Sequence, residues 1–119
     1  MSQSGRRRVL VVEDEVIVSM LVQDMLNELG YEVAAVCGHL AQAVDVARTG
    51  DIDLAVLDLN LNGRMSYPVA DELRLRRVPF LFATGYGAKI LAPPYVATPT
   101  LQKPFHIDEL RRTLDGLQP

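Results

Sequence analysis

The amino-acid sequence predicts an α/β fold in which helices cover both faces of a parallel sheet. Two observations lead to this prediction. Short apolar runs alternate along the chain with longer stretches in which apolar residues recur at helical spacing. The short runs are almost entirely apolar, which is typical of strands that are buried on both faces. The 119 residues are the usual length of one compact unit, so we expect a single domain over residues 1–119.

Five strands are predicted from the apolar runs. Four clear runs occupy residues 9–12, 33–36, 54–57 and 80–83, and a short fifth strand is expected near Thr100–Gln102. Because these strands alternate with helical segments, we expect them to pair in parallel.

Helices are predicted between these strands and after the last one. Apolar residues on one helical face indicate the first helix: Val18, Leu21, Val22, Met25 and Leu29. Gly30 follows, at the position where a left-handed residue commonly ends a helix. The second helix repeats the spacing over residues 40–47 and is closed by Gly50. The third covers residues 67–76, and the last begins near Ile107.

The helix between the fourth and fifth strands is predicted to be short or irregular. Three prolines lie in this part of the chain: Pro93, Pro94 and Pro99. Because proline has no backbone N–H group and interrupts a helix, we expect only a helical turn at residues 88–91, followed by irregular chain.

Composition excludes several classes of protein. With 49% apolar and 23% charged residues, the chain is not of the disordered type, and a net charge of −3 provides no positive field for nucleic acid. No apolar run approaches the roughly 20 residues of a membrane span. The single cysteine, Cys37, cannot form a disulfide within the chain and is expected to be a small buried residue. We therefore expect a soluble cytoplasmic domain that binds neither nucleic acid nor membranes.

Polar residues follow four of the five predicted strands. They are Glu13 and Asp14 after the first, Asp58 after the third, Thr84 after the fourth and Lys103 after the fifth. The carboxyl ends of parallel strands meet at one edge of the sheet, and in open parallel sheets ligands bind at this edge. Three neighbouring carboxylates would repel one another without a counter-charge, and a set of oxygen ligands is typical of Mg²⁺. An aspartate surrounded by a cation, a lysine and a hydroxyl is equipped to accept a phosphoryl group.

Each of these residues taken singly has an ordinary structural explanation. Asp14 could cap the first helix, and Asp58 could be a turn residue. Their joint position at successive strand ends favours a common site. His39 and His106 lie near predicted helix starts, apart from the acidic strand ends, and are expected to be solvated.

With these residues in this order, the sequence resembles the receiver domain of two-component response regulators, of the CheY-like superfamily. The resemblance covers residues 9–117 and rests on the segments Val-Val-Glu-Asp-Glu, Leu-Asp-Leu-Asn-Leu, Ala-Thr-Gly and Lys-Pro-Phe. It implies a flavodoxin-like, doubly wound sheet with the strand order 2-1-3-4-5 and a cis peptide bond between Lys103 and Pro104. It also implies a signalling domain phosphorylated by a sensor histidine kinase, rather than an enzyme.

The resemblance assigns a role to each residue of the site. Asp58 is implied to be the phosphoacceptor, while Thr84 and Lys103 contact the phosphoryl group. The implied ligands of Mg²⁺ or Mn²⁺ are Glu13, Asp14, Asp58 and the backbone carbonyl of Asn60. Phosphorylation is expected to draw in Thr84 and to reorganise residues 85–100. The domain would thereby bind a downstream protein that the sequence does not identify, or act as a phosphate sink or shuttle.

Two residues depart from the usual receiver pattern. Glu13 stands where aspartate is commoner, so this side chain is expected to reach the metal through water or to sit differently. Thr100 stands where most receivers carry the Tyr or Phe whose rotation follows the hydroxyl. Residues 79–87 resemble the FATGUY subgroup, which also lacks this aromatic residue and is often partnered by HWE-type histidine kinases. Tyr86 is a candidate for the moving ring, with a packing role as the alternative.

Three other functions fit these residues less well than the receiver does. A haloacid-dehalogenase-type phosphatase needs a second aspartate where this chain has Asn60, and an amide cannot act as acid and base. A flavin-binding module needs a phosphate loop where residues 13–15 are acidic. A degenerate receiver acting only as a protein scaffold is disfavoured by the joint presence of Asp14, Asp58 and Lys103.

Overall fold

A computed structural model describes residues 5–85 and 91–117 of the chain. The helices and strands follow one another in this order: β1 Arg8–Val12, α1 Val16–Glu28, β2 Glu32–Cys37, α2 Leu40–Thr49, β3 Leu54–Asp58, β4 Asn60–Leu61, β5 Arg64–Met65, α3 Tyr67–Leu75, β6 Phe80–Thr84, β7 Thr100–Gln102 and α4 Ile107–Leu117. No helix within these two ranges is both long enough and apolar enough to cross a bilayer.

The five predicted strands form one parallel sheet in the order β2-β1-β3-β6-β7. Counted among the five, this is the order 2-1-3-4-5, so the predicted flavodoxin-like fold is confirmed. Val12 pairs with Leu57, and Asp58 pairs with Ala83. The strands therefore end almost level with one another, and the residues that follow them meet at one edge.

Alternate residues of the three central strands, β1, β3 and β6, enter two separate apolar layers. Val9 and Val11 pack in the layer that contains α1 and α4, whereas Leu10 and Val12 pack in the layer that contains α2 and α3. Helices thus cover both faces of the sheet, which is why the three central strands are apolar at nearly every position.

The buried face of α1 differs in part from the predicted one. Leu21 was expected on that face, but its side chain is 54% exposed, while Leu26 is fully buried. The inner face of α1 is formed by Val18, Val22 and Leu26, which are spaced four residues apart. Of these, Val18 is only partly buried. Because α1 has more apolar residues than one face can bury, the spacing alone did not determine which of them lie inside.

A short antiparallel hairpin of β4 and β5 was not predicted. Leu61 pairs with Arg64 across a two-residue turn of Asn62 and Gly63, whose φ angles are 53° and 82°. Two successive positive φ angles are typical of the type I′ turn, for which Asn-Gly is a preferred sequence. The Asn-Gly pair was therefore the sequence signal for this hairpin.

The segment before β7 is irregular, as predicted. Residues 91–99, the part of this segment that the structure describes, form turns and no helix. The expected turn at residues 88–91 lies mostly outside the described residues, as does Tyr86. The predicted cis bond between Lys103 and Pro104 is present, and Pro93–Pro94 is also cis. At Gly30, a φ of 91° confirms the left-handed end of α1.

Aromatic side chains attach this irregular segment to α3 and β6. Tyr95 is buried, stacks on Tyr67 with ring centroids 5.5 Å apart, and meets Phe80 and Phe82 edge to face. The Tyr95 hydroxyl donates a hydrogen bond to the Asp71 carboxylate on α3. The segment is therefore packed against the sheet although it has no regular secondary structure.

Candidate functional site

The ends of β1 and β3 bring three carboxylates together. One oxygen atom each of Glu13, Asp14 and Asp58 lies within 4.8 Å of the others. Glu13 and Asp58 are buried, whereas Asp14 is partly exposed. The strand register explains the cluster, because the paired residues Val12 and Leu57 are each followed directly by an acidic residue.

Lys103 supplies a positive charge to this cluster. Its Nζ atom donates a hydrogen bond to Glu13 Oε1 at 2.8 Å and lies 3.4 Å from Asp58 Oδ2. Burial lowers the pKa of Lys103, but the hydrogen bond to Glu13 and the charges of Asp58 and Glu13 outweigh this effect and raise it. The lysine is therefore held in its charged form. Its backbone N–H donates to the Thr84 carbonyl at 2.7 Å, which fixes the end of β7 beside β6.

The surroundings of Asp58 disfavour the ionised form of its carboxyl group. Burial and the nearby charge of Glu13 raise its pKa to about 7, although the charge of Lys103 acts in the opposite direction. The backbone N–H of Asn60 donates to Asp58 Oδ1 at 3.2 Å. An ionised Asp58 would therefore be stabilised by additional positive charge at this site.

Asp14 is held from the hairpin side of the site. Its Oδ2 atom accepts a hydrogen bond from the backbone N–H of Asn62 at 3.1 Å. Partial burial favours the neutral acid, but this hydrogen bond and others to the carboxylate outweigh it, so the pKa of Asp14 is lowered. The alternative in which Asp14 caps α1 is wrong, because the N-cap residue of that helix is Glu15.

A cavity of about 580 Å³ opens over these carboxylates. Its polar wall includes Asp14, Asp58, Asn60, Thr84 and Lys103. Its apolar lining comes mainly from α1 and the chain after β7: Val18, Leu21, Val22, Met25, Pro104 and Phe105. An anion that enters this cavity and reaches Asp58 would therefore share it with a lysine, a threonine and apolar side chains of α1.

The residues of the site fit a hard divalent cation. The predicted ligands are all oxygen donors, and one oxygen of each of the three carboxylates lies within 4.8 Å of the others. Such a set of oxygen donors suits Mg²⁺ or Mn²⁺ better than a soft metal.

The structure brings together the predicted site residues and leaves the other candidates outside. Thr84 is buried at the end of β6, in the cavity wall. Asn60 also lines the cavity, and its side-chain oxygen accepts a hydrogen bond from the Gly63 N–H. His39 and His106 are exposed, away from the cavity lining. Cys37 is buried, and burial raises the pKa of its thiol.

Two features of the site were missed at the sequence level. Asn62 contacts Asp14, and the hairpin that presents it was not predicted. Glu13 accepts a hydrogen bond from Lys103, a contact that the sequence motif did not indicate. Thr100 is exposed, and its hydroxyl donates to the Thr98 carbonyl.

Comparison with known proteins identifies the family. The family model of the response regulator receiver domain matches residues 9–115, and the chain belongs to this family of signalling domains. The transcriptional regulatory protein PdtaR of Mycobacterium tuberculosis is 33% identical over 108 residues, which are 87% of this chain and 53% of PdtaR. The chain thus spans about half the length of the curated relatives it matches.

Solved structures of receiver domains superimpose closely on this fold. SdrG from Sphingomonas melonis Fr1 is 36% identical with a TM-score of 0.85, covering 98% of each chain. The BeF₃-activated conformation of SdrG, from Pseudomonas melonis Fr1, gives a TM-score of 0.79 at 36% identity and covers 92% of this chain and 94% of its own. The receiver domain of the sensor histidine kinase PA1611 from Pseudomonas aeruginosa PAO1 is 27% identical with a TM-score of 0.77, covering 95% of this chain and 98% of its own.

Proposed function

We propose that this domain accepts a phosphoryl group on Asp58 from a sensor histidine kinase in a reaction that depends on Mg²⁺ or Mn²⁺. The observation that carries the proposal is the position of the Asp58 carboxylate in the lining of a cavity, with Lys103 Nζ 3.4 Å away and two further acids beside it. In the transfer, an Asp58 oxygen forms the new P–O bond. The N–P bond of the kinase phosphohistidine breaks, and its electron pair returns to the imidazole nitrogen.

The proposed cation ligands are Glu13, Asp14, Asp58 and the backbone carbonyl of Asn60. When bound, the divalent cation supplies positive charge that offsets the charge of the transferring group. The PA1611 receiver is described with a magnesium ion coordinated in its active site cleft, which supports the same cation here.

Lys103 and Thr84 are the proposed contacts of the phosphoryl oxygens. Lys103 is a compact, charged donor that already reaches both Glu13 and Asp58, so a small movement would bring it to a phosphoryl oxygen. The Thr84 hydroxyl belongs to the strand end that faces the same cavity. Later attack of water on the acyl phosphate would return Asp58 to its carboxylate form, with release of inorganic phosphate.

The apolar face of α1 is the proposed docking surface for the kinase. Four of its side chains are more than half exposed: Val16, Ile17, Met20 and Leu21. Leu21 also lines the cavity above Asp58, so a partner packed on this face would be adjacent to the phosphoacceptor. We propose that a sensor histidine kinase of the HWE type packs on this face.

We further propose that phosphorylation reorganises residues 85–100, through the movement of Thr84. Thr100 has no ring to rotate, so the switch must use other parts of this segment, as in the FATGUY subgroup to which we assign the chain. The existence of a BeF₃-activated conformation of SdrG supports such a change. The rearranged surface would bind a downstream protein in the cytoplasm, or the domain would act as a phosphate sink or shuttle.

Nuclear magnetic resonance tests both the acceptor and the switch. Wild-type protein treated with acetyl phosphate and Mg²⁺ should give a ³¹P signal of an acyl phosphate, and its amide shifts should change at Asp58 and across residues 85–100. Asp58→Asn should give neither change. An acyl phosphate with unchanged shifts in residues 85–100 would contradict the switch alone. If neither acetyl phosphate nor a cognate kinase phosphorylates the wild type, a scaffold function is favoured.

A further inference from the structure

The Asn62–Gly63 turn of the β4–β5 hairpin touches the proposed cation site without belonging to its ligand set. The Asn62 backbone N–H donates to Asp14 Oδ2 at 3.1 Å, and the Asn62 side-chain amide donates to the Gly38 carbonyl at 3.0 Å. One residue of the turn is therefore joined both to the loop after β1 and to the loop after β2.

The same turn is also connected to Asp58. The Gly63 N–H donates to Asn60 Oδ1 at 2.9 Å, and the Asn60 N–H donates to Asp58 Oδ1 at 3.2 Å. Hydrogen bonds thus connect the hairpin to both Asp14 and Asp58. Leu61 attaches the hairpin to the domain, because its side chain is buried in the apolar layer of α2 and α3.

The side chain of Asp14 needs hydrogen bonds from outside the sheet to fix its orientation. It follows β1 in a loop, is partly exposed, and precedes the first turn of α1, so the sheet does not fix its side chain. Hydrogen bonds from outer residues to the ligands of a metal fix their orientation, and removing one typically weakens metal binding by about 10- to 100-fold.

We propose that the Asn62–Gly63 turn is a positioning element that holds the Asp14 carboxylate in its cation-binding orientation and so sets the affinity of the domain for Mg²⁺. This inference rests on the proposed function only in taking Glu13, Asp14 and Asp58 as the cation site. Asn62 and Gly63 are positioning residues, because they act through Asp14 rather than on the cation.

Two glycines provide a matched test. Gly63 and Gly30 have φ angles of 82° and 91°, and a Cβ atom added at either would meet nothing within 4 Å. Gly63→Ala and Gly30→Ala therefore impose a similar backbone strain with no steric clash, but Gly30 lies at the end of α1, away from the cavity. Mg²⁺ affinity is measured by titration of amide shifts, and stability by urea denaturation without Mg²⁺.

We expect both substitutions to lower stability by similar amounts, and only Gly63→Ala to weaken Mg²⁺ binding, by about 10-fold. Asn62→Gly tolerates the positive φ angle but removes the amide bond to Gly38, and we expect a smaller loss of affinity. Equal Mg²⁺ affinities in Gly63→Ala, Asn62→Gly and Gly30→Ala would overturn the inference and leave the cation site intact. Absence of Mg²⁺ binding in the wild type would overturn the site and the inference together.

Discussion

At the scale of single residues, the site places the positive charge of one lysine beside three carboxylates. Lys103 is 14% exposed, and its partners Glu13 and Asp58 are less exposed still. Removing one partner of a buried ion pair is costly, because the other charges remain buried without compensation. Lys103 therefore contributes to the stability of the cation-free domain as well as to the proposed chemistry.

Lys103→Met tests this contribution. We expect the free energy of unfolding without divalent cation to fall by about 3 kcal/mol, because the methionine keeps most of the apolar volume but leaves the carboxylates unpaired. Added Mg²⁺ should restore part of the loss, since a ligand that binds only the folded state stabilises it. Urea denaturation with and without Mg²⁺ measures both effects. Arg111→Met, which removes an exposed pair with Asp108, is the control and should change stability little.

How far the site could be predicted depends on the residue. Asp14, Asp58 and Lys103 could be predicted as neighbours because each lies at, or within two residues of, the carboxyl end of a strand in a parallel sheet. The contact of Asn62 with Asp14 could not, because it depends on how a hairpin folds back over the edge of the sheet. The sequence pattern identifies residues that follow strands, whereas contacts between loops depend on tertiary geometry.

At the scale of elements, Tyr95 makes the main aromatic contacts between the irregular segment before β7 and the rest of the domain. Tyr95 is buried between Tyr67 and Phe82, and its hydroxyl donates to Asp71 on α3. Burial, together with the hydrogen bond to Asp71 and the charge of that carboxylate, raises the pKa of Tyr95 to about 12. The contribution of this group to stability is therefore complete below about pH 10, the ordinary pKa of tyrosine, and is lost as the pH rises through 12.

The difference in tyrosinate absorbance between wild type and Tyr95→Phe isolates this titration. We expect a midpoint near pH 12, and a loss of about 1–2 kcal/mol in the free energy of unfolding of Tyr95→Phe at neutral pH. Tyr67→Phe, which keeps the ring stack but loses the hydroxyl bonded to the Ala92 N–H, is the control and should leave the Tyr95 titration in place. A Tyr95 midpoint near pH 10 would mean that the hydroxyl is not held by Asp71.

Element types were predictable, but the orientation of α1 was only partly so. Strand and helix segments differ in apolar spacing, which is a local property of the sequence. The choice of Leu26 rather than Leu21 for the interior depends on how the helix packs on the sheet. The exposed Leu21 is explained by function if α1 is the docking surface that we propose.

At the scale of the whole molecule, one sheet separates two apolar layers that share its three central strands, β1, β3 and β6. Leu26 is buried between α1 and the sheet, and Leu73 is buried on the opposite face beneath α3. Because adjacent residues of β1, β3 and β6 belong to different layers, the loss of either layer would expose one apolar face of the strands that also support the other layer. We therefore expect the domain to unfold as a single unit.

Leu26→Ala and Leu73→Ala test this coupling. Each should lower the free energy of unfolding by about 2–5 kcal/mol, because a large side chain is removed from a fully packed position. In urea, amide signals from α1 and from α3 should be lost at one common midpoint in either variant. Separate midpoints for the two helices would show that the layers unfold independently.

The central claim is that Asp58 accepts one phosphoryl group with the help of a divalent cation. Intact mass spectrometry after treatment with acetyl phosphate, with and without Mg²⁺, tests it most directly on wild type, Asp58→Asn and the control Asp53→Asn. Asp53 precedes β3 and lies outside the cavity lining. We predict the gain of one phosphoryl mass in wild type and Asp53→Asn only when Mg²⁺ is present, and no gain in Asp58→Asn. A phosphorylated Asp58→Asn protein, or a gain independent of Mg²⁺, would contradict the account.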